Sequence, residues 1–305
     1  MISLKQLRYF EAVARIRHFG KAAEQCSVTQ PALSMQIQEL EKTLGVQLME
    51  RSRGGVMLTE AGRDIAGRAT RILAETRDIV DFARRQGGVL SGPLHFGVIP
   101  SVAPYVLPAL LPLVRERFPD LDLHLRETQT QHLLTELLDG GLDLLLLALP
   151  IENPEIETIK LFNDRFLLAM PKSRRMPNRI RATPDLLQQD RLLLLLEEGH
   201  CLRDQALSFC NLRRVDNIDT FGASNLSTIV QMVANGLGMT LLPELSIKLE
   251  CRHDDIRLMR FADPQPRRVV GLAWRRSSPR KRHFVELGKL ITQATSDQMR
   301  VSEMA

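Results

Sequence analysis

Two cysteines, Cys201 and Cys210, lie nine positions apart in the run Glu198-Gly199-His200-Cys201-Leu202-Arg203-Asp204-Gln205-Ala206-Leu207-Ser208-Phe209-Cys210, which reads as helical. On a continuous α-helix nine residues advance about 13.5 Å and turn through about 900°, so the two sulfurs fall on opposite faces. A disulfide tolerates Cα atoms no more than about 7 Å apart. A bond between this pair therefore requires the helix between them to unwind, and the pair reads as a chemical switch rather than a static staple.

The rest of the chain sets the conditions for such a switch. At 305 residues, 44% hydrophobic and 25% charged, it has the composition of an ordinary globular protein of two or three domains, with nothing that suggests disorder. Its start, Met1-Ile2-Ser3-Leu4-Lys5, has no secretory pattern, and no apolar stretch reaches the eighteen or so residues of a membrane span. The expectation is a cytoplasmic protein with no membrane partner. In that reducing compartment four cysteines read as thiols, with a transient sensing bridge as the exception.

Charge points to the N-terminal end. Residues 1–90 hold fourteen Lys/Arg against ten Asp/Glu, whereas the remainder hold 27 against 26. A local basic excess suits a segment that faces a polyanion, although it also suits a solvated surface. The motif order there is more specific. Leu4, Leu7, Phe10, Val13 and Ala14 recur at helical spacing, and Phe19 to Gln25 predicts a second, short helix. Cys26-Ser27-Val28-Thr29 predicts a tight turn, and Pro31 opens a third helix to Glu41 with Leu33, Ile37 and Leu40 inward. This is a helix-turn-helix pattern. Gln30, Ser34, Met35, Gln36 and Gln38 stand at its outward positions, mostly uncharged hydrogen-bonding side chains suited to base edges or phosphate oxygens, and Thr29 and Pro31 at its start complete the DNA-binding set. Residues 48–58 predict two short strands around Gly54-Gly55, a wing carrying Arg51 and Arg53 for phosphate.

Thr59 then caps a long helix from Glu60 to about Gln86, bearing Ile65, Ala69, Ile72, Thr76, Ile79 and Ala83. Alternate steps of four and three make a heptad seam, and a seam on a helix this long calls for a partner helix, here a second copy of the chain. Gln86-Gly87-Gly88 ends the helix. Beyond it strands and helices alternate: 94–98, 104–117, 122–127, 131–138, 143–148, then 165–170 and onward through 238–243. That order predicts an α/β domain with a parallel sheet. No set of residues has metal-ligand spacing and no glycine-rich phosphate loop occurs, so neither metal nor cofactor is expected.

Through Leu7-Arg8-Tyr9-Phe10, Phe19 with Lys21-Ala22-Ala23, Thr29-Gln30-Pro31-Ala32-Leu33-Ser34, Ile37-Gln38-Glu39-Leu40-Glu41, Leu44-Gly45 and Leu58-Thr59-Glu60-Ala61-Gly62, the chain resembles LysR-type transcriptional regulators. Thr29 replaces the usual Ser and Met49 the usual Phe. The resemblance implies a winged helix-turn-helix at 1–59 and a linker and dimerisation helix at 60–90. It also implies a two-lobed, periplasmic-binding-protein-like regulatory domain at 91–305, with lobe I at about 91–163 and 267–296 and lobe II at about 164–266. The cysteine segment, with Ser91-Gly92-Pro93-Leu94-His95, Gly97-Val98-Ile99-Pro100-Ser101, Thr128-Gln129-Thr130-Gln131 and Pro266-Arg267-Arg268-Val269-Val270, is similar to the peroxide-sensing OxyR branch of that family.

This second resemblance makes hydrogen peroxide the signal, Cys201 the attacking thiol and Cys210 the resolving one. Peroxide reacts with thiolate, and an ordinary thiol is only a few per cent ionised at neutral pH, so the surroundings must favour the anion. Cys201 precedes a helical pattern, which puts it at a helix N-terminus where the dipole does this. Arg203 or His200 is placed to add positive charge and Asp204 to oppose it. By resemblance Arg268, Thr130 and Ser101 hold the thiolate and peroxide. Further implied are an activator bound to double-stranded promoter DNA as a dimer of dimers (a homotetramer), contact with RNA polymerase, and reduction by a glutaredoxin or thioredoxin system. Cys26 and Cys251 have no motif and read as structural. Two other readings stay open: a LysR-type regulator induced by a small organic ligand in the interlobe cleft, and a thiol peroxidase, which leaves the N-terminal segment unexplained.

Overall fold

Ser3 starts the chain's first helix through a capping box. Its hydroxyl accepts from the Gln6 N–H at 3.2 Å, and the Gln6 side chain accepts from the Ser3 N–H at 2.9 Å. The computed structural model describes residues 1–52, 55–84, 90–174, 181–183, 193–209, 223–252 and 255–301. Two units are distinguished, Met1–Gly88 with Glu136–Gly141, and Val89–Thr135 with Leu142–Ala305.

In the first unit α1 (Leu4–Ile16), α2 (Phe19–Gln25) and α3 (Gln30–Leu44) bury Phe10, Val13, Ala22, Leu33, Ile37 and Leu40 in one cluster. The third helix starts one residue before Pro31 and runs to Leu44, where Gly45 ends it at φ 70°, a conformation that favours glycine. Strands β1 (Met49–Ser52) and β2 (Gly55–Leu58) pair antiparallel, with Ser52 opposite Gly55. The Thr59 hydroxyl accepts from the Gly62 N–H at 2.9 Å and so caps α4 (Glu60–Arg84). Gly62 is required here, since a Cβ on it would lie 1.8 Å from the Leu48 carbonyl oxygen. Along the predicted seam Ala69 is buried, whereas Ile79 is 67% exposed.

The second unit contains β3 (Gly92–Val98), α5 (Ala103–Arg117), β4 (Leu121–Glu127), the first six residues of α6 (Thr130–Leu138), β5 (Leu144–Leu149) and β6 (Ile156–Pro171). They are followed by α7 (Cys201–Phe209), α8 (Leu226–Ala234), β7 (Thr240–Pro243), α9 (Ile247–Glu250), β8 (Ile256–Arg260), β9 (Arg267–Arg275) and α10 (Lys281–Val301). The sheet order is β4-β3-β5-β9-β6-β7, with β8 also on β6. Every residue of β5 is buried, as expected of a strand flanked on both edges and covered on both faces.

The expected parallel sheet is mixed. Only β3 with β4 and β3 with β5 are parallel, and every pair that involves β6 or β9 is antiparallel. The physical reason is β9, which returns from late in the chain and inserts between β5 and β6, so the alternation of strand and helix does not continue as adjacent parallel strands. Strand β6 serves two pairings in turn: Ile156–Arg165 lie along β9, and Phe166–Pro171 lie between β7 and β8. Among the described residues no helix is long and apolar enough to cross a membrane.

Candidate functional site

Helix α7 begins at Cys201 itself, and all nine residues to Phe209 are helical. Leu202 and Ala206 turn inward and are buried, which leaves Cys201 a free, half-buried thiol in the first turn. Cys210 lies outside the described residues. The turn that feeds the helix depends on Gly199 at φ 91°. A Cβ there would stand 2.5 Å from Gln129 Oε1, and the Gln129 side-chain N–H donates to the Glu198 carbonyl at 3.4 Å. The approach to Cys201 is thus laid against the start of α6. Its first residue, Thr130, has a buried hydroxyl with no hydrogen-bond partner among the described residues.

The charged neighbours differ from expectation. Burial lowers the His200 imidazole below its ordinary range against the pull of Glu197, 3.9 Å away, so His200 is neutral at pH 7 and adds no positive charge. Arg203 is engaged behind the turn: its Nη1 donates to the Leu196 carbonyl at 3.3 Å, and its Nη2 lies 4.0 Å from Glu198. It ties the helix to the segment before the Gly199 turn. Asp204 is exposed in the first turn.

Arg268 and Ser101 do come together. Arg268 Nη1 donates to Ser101 Oγ at 2.7 Å and Nη2 to the Ser101 carbonyl at 2.9 Å. Ser101 stands in the turn between β3 and α5, and Arg268 is the second residue of β9. A third member, Asp164, was not singled out from sequence. It is the residue directly opposite Arg268 in the β6–β9 register, and its Oδ2 accepts from Nε at 2.9 Å and lies 2.9 Å from Nη2. Its Oδ1 accepts from the Leu245 N–H at 3.0 Å. Both side chains of the pair are 0% exposed. Complete burial pushes the Asp164 carboxyl above its usual range, although Arg268 and the Leu245 N–H pull it down. Nothing in the local sequence marks Asp164, because only strand register places it against Arg268.

The other two described cysteines are suppressed as thiolates. Burial pushes Cys251 up to about 11, and Glu250 adds to the effect. Burial also raises Cys26, against the pull of Arg8 and Arg15.

On the first unit, Gln30, Pro31 and Gln38 are exposed on α3, and Ser34 and Gln36 are half-buried. Gln36 donates to Glu39 at 3.4 Å, while the Thr29 hydroxyl caps the helix by accepting from the Ala32 N–H at 3.4 Å. Arg51 is in β1, its side chain outside the description, and Arg53 lies outside the described residues.

Comparison with known proteins agrees with this layout. Residues 4–63 match the bacterial regulatory helix-turn-helix protein model of the lysR family, and residues 87–295 match the LysR substrate binding domain. The DNA-binding transcriptional dual regulator OxyR of Escherichia coli K12 is 40% identical over 290 residues, 95% of either chain. A probable hydrogen peroxide-inducible genes activator of Streptomyces viridosporus is 44% identical over 297 residues, 97% of this chain and 95% of that one. Among solved structures, a full-length OxyR variant from Pseudomonas aeruginosa superposes with a TM-score of 0.82 at 36% identity over 95% of both chains. A hydrogen peroxide-bound OxyR mutant from Corynebacterium glutamicum gives 0.68 at 36% identity, covering 99% of this chain and 97% of that one.

Proposed function

The chain belongs to the LysR family of bacterial regulatory proteins, and from that premise we propose that it is a hydrogen peroxide-sensing, DNA-binding transcriptional regulator whose sensing thiol is Cys201. The observation that carries the site assignment is the placement of Cys201 as the first residue of α7, with unbroken helix from there to Phe209. The N-terminal position favours an anion, and unbroken helix carries the chain about 12 Å along its axis from Cys201 to Phe209.

The chemistry follows. The Cys201 thiolate attacks one oxygen of peroxide, an S–O bond forms as the O–O bond breaks, and hydroxide leaves and takes up a proton. The resulting sulfenic acid is attacked by the Cys210 thiolate, which forms the disulfide as hydroxide leaves and takes up a proton to become water. Two electrons pass from the thiols to peroxide. Arg268, the Ser101 hydroxyl and the Thr130 hydroxyl bind peroxide and the departing hydroxide, a role that preorganised donors perform best. A buried Thr130 hydroxyl with no partner is consistent with a polar ligand at that point. His200 contributes a neutral imidazole, Arg203 positions the turn, and Asp204 sits at the helix entrance.

Because the bridge cannot span α7, oxidation unwinds that helix and favours a second arrangement of the regulatory domain, 91–305, in which lobes I and II are about 91–163 with 267–296, and about 164–266. The change passes through the linker helix, 60–90, to the winged helix-turn-helix, 1–59. Thr29, Gln30, Pro31, Ser34, Gln36, Gln38, Arg51 and Arg53 meet promoter DNA. Exposure of Ile79 on α4 supports pairing with a second copy and assembly as a dimer of dimers. Dithiol exchange with a glutaredoxin or thioredoxin resets the switch, and the oxidised form engages RNA polymerase. The test is mass spectrometry after brief peroxide exposure, paired with DNA footprinting in both redox states. A Cys201–Cys210 bridge and a changed footprint are expected; no bridge, or identical footprints, would sink the assignment.

A further inference from the structure

Apart from the redox residues, the second unit holds a cavity of about 410 Å³, within the range of small-molecule sites. Its lining is Pro104, Tyr105 and Pro108 of α5, Leu245 just before α9, and Lys248, Leu249 and Arg252. None of Cys201, Thr130, Ser101 or Arg268 is among them. The lining is apolar apart from two cations at its exposed side, Lys248 and Arg252, and neither has an acidic partner among the described residues. Glu250, two residues from each of them, does not line the cavity. Its carboxylate accepts from the Tyr105 hydroxyl at 2.8 Å and from the Ser227 hydroxyl at 2.9 Å. An apolar pocket lined also by two exposed cations, without acidic partners among the described residues, is complementary to an anion with a hydrocarbon body, which buries its chain and keeps its charge beside them.

The cavity is wired to the buried ion pair. Leu245, which lines it, donates its backbone N–H to Asp164. Tyr105 lies one helical turn beyond Ser101, the residue that Arg268 grips. We propose that this cavity is a binding site for an amphiphilic carboxylate, and that occupancy shifts the Asp164–Arg268–Ser101 cluster and thereby the reactivity of Cys201. The second half rests on the assignment of that cluster to the surroundings of Cys201.

Octanoate is the probe, with octan-1-ol as its uncharged control, titrated calorimetrically into the reduced full-length chain. Saturable binding of one octanoate per chain is expected. Octan-1-ol and the Lys248→Gln/Arg252→Gln variant should each weaken binding by about tenfold or more, since charge-assisted hydrogen bonds are lost. No saturable heat, equal affinity for the alcohol, or undiminished affinity in the variant overturns the site. Coupling is read as the rate at which iodoacetamide alkylates Cys201, which should change about threefold or more at saturation. An unchanged rate with octanoate bound overturns the coupling. Because alkylation needs no peroxide, failure of the sensor assignment would show separately, as an absent sulfenic acid and bridge.

Discussion

Replacing Asp164 by alanine tests the buried cluster most directly. The change leaves a fully buried guanidinium whose remaining acceptors are the hydroxyl and carbonyl oxygens of Ser101, both uncharged, and it orphans the Leu245 N–H. Breaking one side of a buried pair costs about 3–5 kcal/mol, of which an unsatisfied amide accounts for about 1–3. With a urea dependence of about 2–3 kcal/mol per molar, the midpoint should fall by about 1–2 M. The chain carries its own probe, since its one tryptophan, Trp274, is buried in the same strand as Arg268 and reports unfolding of that sheet by fluorescence. The companion variant Asp164→Leu/Arg268→Met removes both charges. Burial raises the Asp164 carboxyl despite Arg268, so the ionised pair is retained at a cost; the double variant still orphans the Leu245 N–H and should lie about 1–3 kcal/mol below the parent. A midpoint shift below about 0.3 M for the alanine variant, or a double variant as unstable as the single one, would refute the reasoning.

Gly199→Ala forces a side chain onto φ 91° and onto Gln129 Oε1, so a loss of about 1–2 kcal/mol and an altered Cys201 alkylation rate are expected; parental values in both would remove the role given to that turn. Burial lowers the His200 imidazole, so as pH falls below about 6.5 the unfolded chain takes up a proton before the folded one does, and stability is lost. Urea midpoints at pH 7 and pH 5 should therefore converge in His200→Gln relative to the parent, and an unchanged slope would count against it. Cys251, pushed up to about 11 from 9.0, should carry about a hundredfold less thiolate at pH 8 than a free thiol and alkylate correspondingly slowly in the native protein. Ile79→Asp should shift the sedimentation coefficient toward that of a single chain, and an unaltered assembly would exclude the α4 seam as its interface.

Much of the local architecture was legible from side chains within a few positions of one another. Pro31 in the first turn of the third helix and Thr59 before Glu60 mark helix starts, and the structure has helices at both. The two short strands of the wing and the helix opening at Cys201 were likewise written locally, because capping and periodicity act over about one turn. The charge of His200 was not legible, because burial, which lowers its imidazole, is a property of the folded surroundings.

By itself the sequence determined the helix-turn-helix, the start of α4 and a helix start at Cys201, since each depends on contacts between near neighbours along the chain. The tertiary structure alone decided that β9 runs antiparallel between β5 and β6, and that Asp164 faces Arg268 across 104 positions and Leu245 across 81. Those partners meet through strand register and burial. The free energy of pairing two charges out of water belongs to the assembled sheet, and no short stretch of the chain carries it.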